Sequence, residues 1–224
     1  MSFILGLDPS LRKAGYVVLD ISGPDDVLVD KGLLKTSDED GILIQRIIKQ
    51  QTQIRNKLLE YDIKFIGMEA PFFGGNEAEH LFALNQFIHQ IFLEQGSYVV
   101  AFPPQQLKKL TIPSLKVTEI HKSNMIDAAK TKLNMHGQKL AEDIADAYWA
   151  GYFGKKFYKL VIDKTLKETD LNKYEREVFC GKKTITRGAR KGATDYTGYI
   201  YRENEMYYDF KKIKERLESK ESSK

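Results

Sequence analysis

The sequence predicts an α/β fold, a five-stranded mixed sheet flanked by helices, with a basic C-terminal extension. Three observations predict it. Short apolar runs of strand length alternate with longer segments of helical period. The first three runs follow one another through tight turns within 35 residues, as in an antiparallel meander, whereas a long amphipathic stretch precedes the fourth and suits a parallel return. The first and fourth runs each end in a carboxylate, Asp8 and Glu69.

Phe3 to Asp8 is the first strand, stopped by Pro9-Ser10. A run so uniformly apolar suits a central strand buried on both faces. A lone carboxylate beside that backbone is costly, so Asp8 needs partners or a metal ion. Ser10 to Gly15 forms a turn, Tyr16 to Ile21 a second strand, Gly23 to Asp26 another turn, and Val27 to Leu34 a third strand. Residues 38–60 carry Ile42, Ile44, Ile47, Ile48, Ile54, Leu58 and Leu59 at helical spacing, with Ser37 or Asp38 as the cap. The fourth strand, Ile63 to Met68, returns parallel to the first and brings Glu69 to the sheet edge where Asp8 lies. Open α/β sheets bind ligands outside the C-terminal ends of their strands.

Gly74-Gly75-Asn76 is a loop, Glu77 to Glu94 a helix, and Ser97 to Phe102 the fifth strand, ended by Pro103-Pro104. A basic amphipathic segment, Gln105 to Leu110 with Lys108 and Lys109, leads to a helix over 117–134. The next helix, beginning at Lys139 and running through Ala150, carries Glu142, Asp143 and Asp146 among apolar residues. Asp143 and Asp146 share a face, and Glu142 and Asp146 can share one as well. Like charges on a buried helix need a positive partner, and Mg²⁺, a hard cation that takes oxygen ligands, meets that need. His80, His89, His121 and His136 form no zinc-ligand spacing and read as structural or exposed.

One cysteine, Cys180, permits no internal disulfide, and no Asn-x-Ser/Thr site occurs. No apolar stretch reaches the roughly 18 residues needed to cross a bilayer, and the N-terminus opens on a strand, so a cytoplasmic protein without membrane contact is expected. Residues 1–154 hold 16 Lys and Arg against 19 Asp and Glu, and residues 155–224 hold 19 against 12, giving −3 and +7. A basic extension on a slightly acidic body points to a polyanionic partner.

The order of these features resembles the ribonuclease H-like nuclease fold, and the local sequences narrow it. Ile4-Leu5-Gly6-Leu7-Asp8-Pro9-Ser10 with Gly15-Tyr16, then Met68-Glu69-Ala70-Pro71-Phe72, then Pro104-Gln105-Gln106-Leu107-Lys108, then Asp143-Ile144-Ala145-Asp146-Ala147 are similar to the successive motifs of RuvC-type Holliday-junction resolvases. The resemblance covers residues 3 to about 154. It implies a metal-dependent endonuclease that resolves four-way junctions by paired symmetric nicks leaving 5′ phosphates. Asp8, Glu69, Asp143 and Asp146 match the four acids that bind two Mg²⁺ ions, for which Mn²⁺ can substitute, and Glu142 is the alternative to Asp143. Phe72 matches the aromatic set against bases at the junction centre, with Phe73 next in register. Lys108 and Lys122 match basic positions near the scissile phosphate. A few extra residues between them leave Lys116 as the alternative to Lys122. The near two-fold symmetry of a junction calls for two active sites and hence a homodimer.

The expected boundaries are a nuclease domain over 1–158 and an extension over 159–224, which the resemblance does not cover. Within the extension, Lys182, Lys183, Arg187, Arg190 and Lys191 form a basic, glycine-containing segment suited to tracking a DNA backbone. Tyr196 to Tyr201 reads as strand and Phe210 to Glu218 as helix. The departures from the cellular family suggest a phage-encoded version. Two rivals remain: a nuclease of forks, flaps and other branched DNA, and a noncatalytic branched-DNA-binding module. The actin-like ATPases, which also place an acid on strand one, lack support, because no phosphate loop follows Asp8 and the chain is too short for two lobes.

Overall fold

In the computed structural model, residues 2–23, 27–71, 78–180, 182–184, 191–192, 194–196, 199–202 and 205–207 are described. The strands are β1 (Phe3–Asp8), β2 (Lys13–Asp20), β3 (Val27–Lys35), β4 (Phe65–Glu69), β5 (Tyr98–Phe102), β6 (Lys182–Thr184), β7 (Thr194–Tyr196), β8 (Tyr199–Arg202) and β9 (Glu205–Tyr207). The helices are α1 (Leu43–Glu60), α2 (Ala78–Glu94), α3 (Pro104–Thr111), α4 (Lys122–Lys132), α5 (Glu142–Val161) and α6 (Lys173–Cys180).

The first four strands stand in the expected arrangement, β3-β2-β1 as an antiparallel meander with β4 parallel to β1, and β5 lies parallel to β4. The sheet is nevertheless wider than the five strands expected. Its order is β3-β2-β1-β4-β5-β8-β9, seven strands, because β8 pairs antiparallel with β5 through Val99↔Tyr201, Val100↔Ile200 and Ala101↔Tyr199. Without β8, β5 would present a row of open backbone donors and acceptors. The expected single strand over Tyr196 to Tyr201 is thus divided between β8 and β7, which pairs with β6 in a separate two-stranded sheet. The helix expected at Phe210 to Glu218 lies outside the described residues.

Two expected helices are broken. Residues 38–60 form a 3-10 turn, Asp38–Asp40, and then α1, separated at Gly41, whose φ of +100° no α-helix accommodates. Residues 117–134 likewise divide into a 3-10 turn, Val117–Glu119, and α4, where the His121 N–H donates to Asn124 Oδ1 at 2.8 Å. The last helix starts later than expected, after the extended Ala141, and runs unbroken across residue 158 to Val161.

Strand alternation divides the interior into two cores. Leu5, Leu7, Tyr16, Val18, Ile66, Met68, Val99 and Ala101 pack with Ile47, Ile54, Leu58, Leu84 and Ile88 of α1 and α2. Ile4, Val17, Leu19, Phe65, Val100 and Phe102 pack on the other side against α5 and its neighbours α3, α4 and α6. The α6 helix belongs to this second core: Phe179 meets Phe102 and Phe157 at ring-centroid distances of 6.2 and 5.8 Å, and the buried Glu175 pairs with Lys156.

Candidate active site

The site is set by how closely α5 lies on the sheet. A Cβ placed on Gly6 would come 2.1 Å from the Ala147 carbonyl oxygen, one on Gly67 would come 2.0 Å from that of Ala150, and one on Gly15 would come 1.9 Å from that of Asp143. Any larger residue in these strands would lift the helix. The helix answers with its own glycines, since Gly151 abuts Gly6 and Gly154 abuts Gly67. Asp143, Ala147 and Gly151 thus form one i, i+4 ridge over β2 and β1, while Asp146, Ala150 and Gly154 form a second over β4.

This packing fixes the direction of the acids. Gly6 and Gly67 face α5, and side chains two residues apart on a strand share a face, so Asp8 and Glu69 point to the helix side at its N-terminal end. Asp8 is paired across the ladder with Gly15, which touches Asp143. Asp8, Glu69, Asp143 and Asp146 therefore collect at one corner of the sheet. Glu142 adds its charge to that corner and pairs with Lys122.

The electrostatics record the crowding. Burial, then Glu69, Asp146, Asp143 and Glu142, raise the pKa of Asp8 well above the usual carboxylate range. Burial and then Asp146 push Glu69 up to about 8, against the opposing pull of Lys108 and Lys122. Burial and Glu142 push Asp146 up to about 6, with Lys122 and Lys108 again opposing. Negative charge is concentrated here beyond what the nearby lysines offset.

The remaining site residues expected from the sequence fall into three groups. Lys108, on α3, and Lys122, at the start of α4, reach the acids electrostatically. Lys116 lies on an exposed stretch, and Lys109 is held elsewhere, donating to the carbonyls of Pro113 at 3.0 Å and Leu115 at 2.7 Å and lying over the Tyr174 ring. Lys182 and Lys183 are on β6, and Lys191 is exposed in a turn. Phe72, Phe73, Arg187 and Arg190 lie outside the described residues.

Sequence reading missed Lys13, whose Nζ is 2.8 Å from Asp143 Oδ2. It also missed the glycine contacts. An isolated glycine within a strand marks a close backbone approach, and Gly6, Gly15 and Gly67 are three such positions, so that signal was present. Nothing in the sequence pairs Lys13 with Asp143.

Among the described residues, no group of three or more His, Cys, Asp or Glu side chains is arranged to hold a metal ion as the side chains stand. Asp143 is turned to Lys13 and Glu142 to Lys122. The donor set still fits a hard divalent cation in kind, being made of carboxylates whose mutual repulsion such a cation would relieve.

Comparison with known proteins agrees with this architecture. Residues 4–150 match the family model described as crossover junction endodeoxyribonuclease RuvC. Curated relatives of that name include one from Prochlorococcus marinus (strain MIT 9303), 26% identical over 149 residues, covering 64% of this chain and 92% of the relative. Another, from Orientia tsutsugamushi (strain Ikeda), is 28% identical over 153 residues, covering 66% and 92%. Among solved structures, T. thermophilus RuvC in complex with Holliday junction substrate superposes with a TM-score of 0.58 at 17% identity, over 71% of this chain and 95% of that one. Because the family model spans the carboxylate strands, the strand glycines Gly6, Gly15 and Gly67 and the acidic start of α5, this chain belongs to the crossover junction endodeoxyribonuclease RuvC family.

Proposed function

We propose that this protein resolves four-way DNA junctions by paired symmetric nicks, hydrolysing phosphodiester bonds to leave 5′ phosphates and 3′ hydroxyls. The observation that supports this reading is the gathering of Asp8, Glu69, Asp143 and Asp146 at one sheet corner with Lys108 and Lys122 beside them. The four acids are the ligands for divalent ions, with Mg²⁺ the expected cofactor and Mn²⁺ able to replace it. When bound, such ions supply an activated water and stabilise the leaving oxygen of an in-line displacement.

The chain's own residues do the rest. Gly6, Gly15 and Gly67 hold α5 against the sheet, which keeps acids from three separate elements in register. Lys108 and Lys122 offset charge that develops on the phosphate. Phe72 and Phe73 follow Glu69 closely enough in the chain to stack on an unpaired base, an interaction of ~1–3 kcal/mol. Lys182, Lys183, Arg187, Arg190 and Lys191 contact the DNA backbone. The working form is a homodimer, which gives a two-fold symmetric substrate one site per cut. Among the described residues no helix is long and apolar enough to cross a membrane, and we place the protein with DNA in the cytoplasm, the host's if the gene is phage-borne.

The test is incubation with labelled four-way junction, fork, flap and linear duplex, each with Mg²⁺ or EDTA. Symmetric Mg²⁺-dependent nicks in the junction alone are expected. Equal cutting of forks and flaps would replace the proposal with a broader debranching nuclease, and tight junction binding with no cutting would replace it with a binding module.

A further inference from the structure

Lys13 opens β2 at the rim of the site. Its side chain shares a face with Gly15, because the two are two residues apart on one strand, and Gly15 is the point at which the Asp143 backbone rests on the sheet. The ammonium therefore rises beside the first turn of α5 and meets Asp143 Oδ2 at 2.8 Å. The Lys13 side chain is 48% exposed and that of Asp143 25%, so the pair stands at the solvent boundary and can part without opening the core. Asp143 thus faces a lysine and is turned from the other carboxylates by a direct ion pair.

We infer that Lys13 is a positioning residue of the site, which holds the Asp143 carboxylate in the cation-free protein and competes with the divalent cation for it. The inference rests on the proposed reading that Asp143 is a cation ligand. Lys13 thereby sets the cation concentration at which the acids come together, and it leaves Asp143 only when the ion's double charge displaces its single one. A half-exposed pair of this kind is a weak competitor, which makes its effect a tuning of affinity and not a block.

The experiment is calorimetric titration of the DNA-free protein with Mn²⁺ and Mg²⁺, with the cation-dependent rise in melting temperature as a second readout. Removing the competitor in Lys13→Gln should lower the half-saturating cation concentration by roughly two- to fivefold. Lys13→Arg, which keeps a cation facing Asp143, should not lower it. Lys35→Gln is the charge control, since Lys35 is exposed and sits directly across the β2–β3 ladder from Lys13. It should leave the midpoint where it is. An unmoved or raised midpoint in Lys13→Gln, or an equal fall in Lys35→Gln, overturns the inference. Asp8→Asn separates the two levels: if it abolishes cation binding while Lys13→Gln changes nothing, the inference fails alone. If Asp8→Asn binds the cation as well as the unaltered protein does, the cation-site reading fails and takes the inference with it.

Discussion

The two faces of the sheet are built on opposite rules. Toward α1 and α2 the strands present large side chains, Leu5, Leu7, Val18, Ile66 and Met68, and the helices stand off on a layer of interlocked hydrocarbon. Toward α5 the strands present glycine at the crossing points and the backbones touch. A layer of side chains can repack around a change of one methylene at modest cost. A backbone contact has no such slack. The acids are all on the second face, so the part of the molecule that must hold charges in fixed relation is the part with the least freedom to adjust.

The largest effect should come from the acids themselves. Asp8→Asn should reduce junction cleavage by roughly 10²–10³-fold or more while leaving junction binding intact, as checked by gel assays of cutting and affinity. Because the Asp8 charge is opposed by burial and four other carboxylates, the same change should raise the stability of the metal-free protein at pH 8, read by denaturant melts. A loss of stability would mean that the acids do not repel one another as described.

Next come paired substitutions, one per face. Gly6→Ala puts a methyl into the Ala147 carbonyl, and we expect a loss of about 1–3 kcal/mol together with reduced cleavage, since α5 must shift. Ile54→Val, in the other core, should cost about 0.5–1.5 kcal/mol and leave cleavage unchanged below the melting transition. Equal damage to cleavage from both would erase the contrast between the faces.

The faces also respond oppositely to pH. Glu69 and Asp146 titrate higher in the folded protein than in the unfolded chain, at about 8 and about 6. The folded state then binds more protons, so their contribution to metal-free stability is fully present below about pH 4 and is lost as pH rises through 6 to 8. His89, buried on α2, is pushed down to about 4 by that burial. Here the unfolded chain binds the extra proton, and stability is lost as pH falls from about 6.5 to 4. With two acids set against one histidine, the metal-free protein should lose stability as pH rises from about 4 to 8, read by thermal melts. His89→Gln should steepen the decline between about pH 4 and 6.5, and saturating Mg²⁺ should remove the decline toward pH 8.

The smallest effect should lie in the extension. Arg187→Ala with Arg190→Ala should lower the slope of log affinity against log salt by at most about 2, with little change in cutting at low salt.

Much of this was legible in the sequence because it is written in local signals. Apolar runs ending in Asp8 and Glu69 located two of the acids, and the three-residue spacing of Asp143 and Asp146 located the others. What was not legible depends on contacts between distant residues. The Lys13–Asp143 pair joins positions 130 residues apart, and the β5–β8 ladder joins strands about 100 residues apart. Gly41 is the instructive middle case: a helix-period pattern surrounds it, and only its backbone angle reveals that the helix begins after it.

The two ridges of α5 have a bearing on how the gene can change. Each residue of an α-helix turns the chain by about 100° and advances it ~1.5 Å. A single codon gained or lost between Asp146 and Ala150 would leave Gly151 and Gly154 seated on Gly6 and Gly67 and swing both aspartates away from Asp8 and Glu69. This stretch of the gene should therefore tolerate no change in length, and a one-codon insertion there should yield a folded protein that no longer cuts.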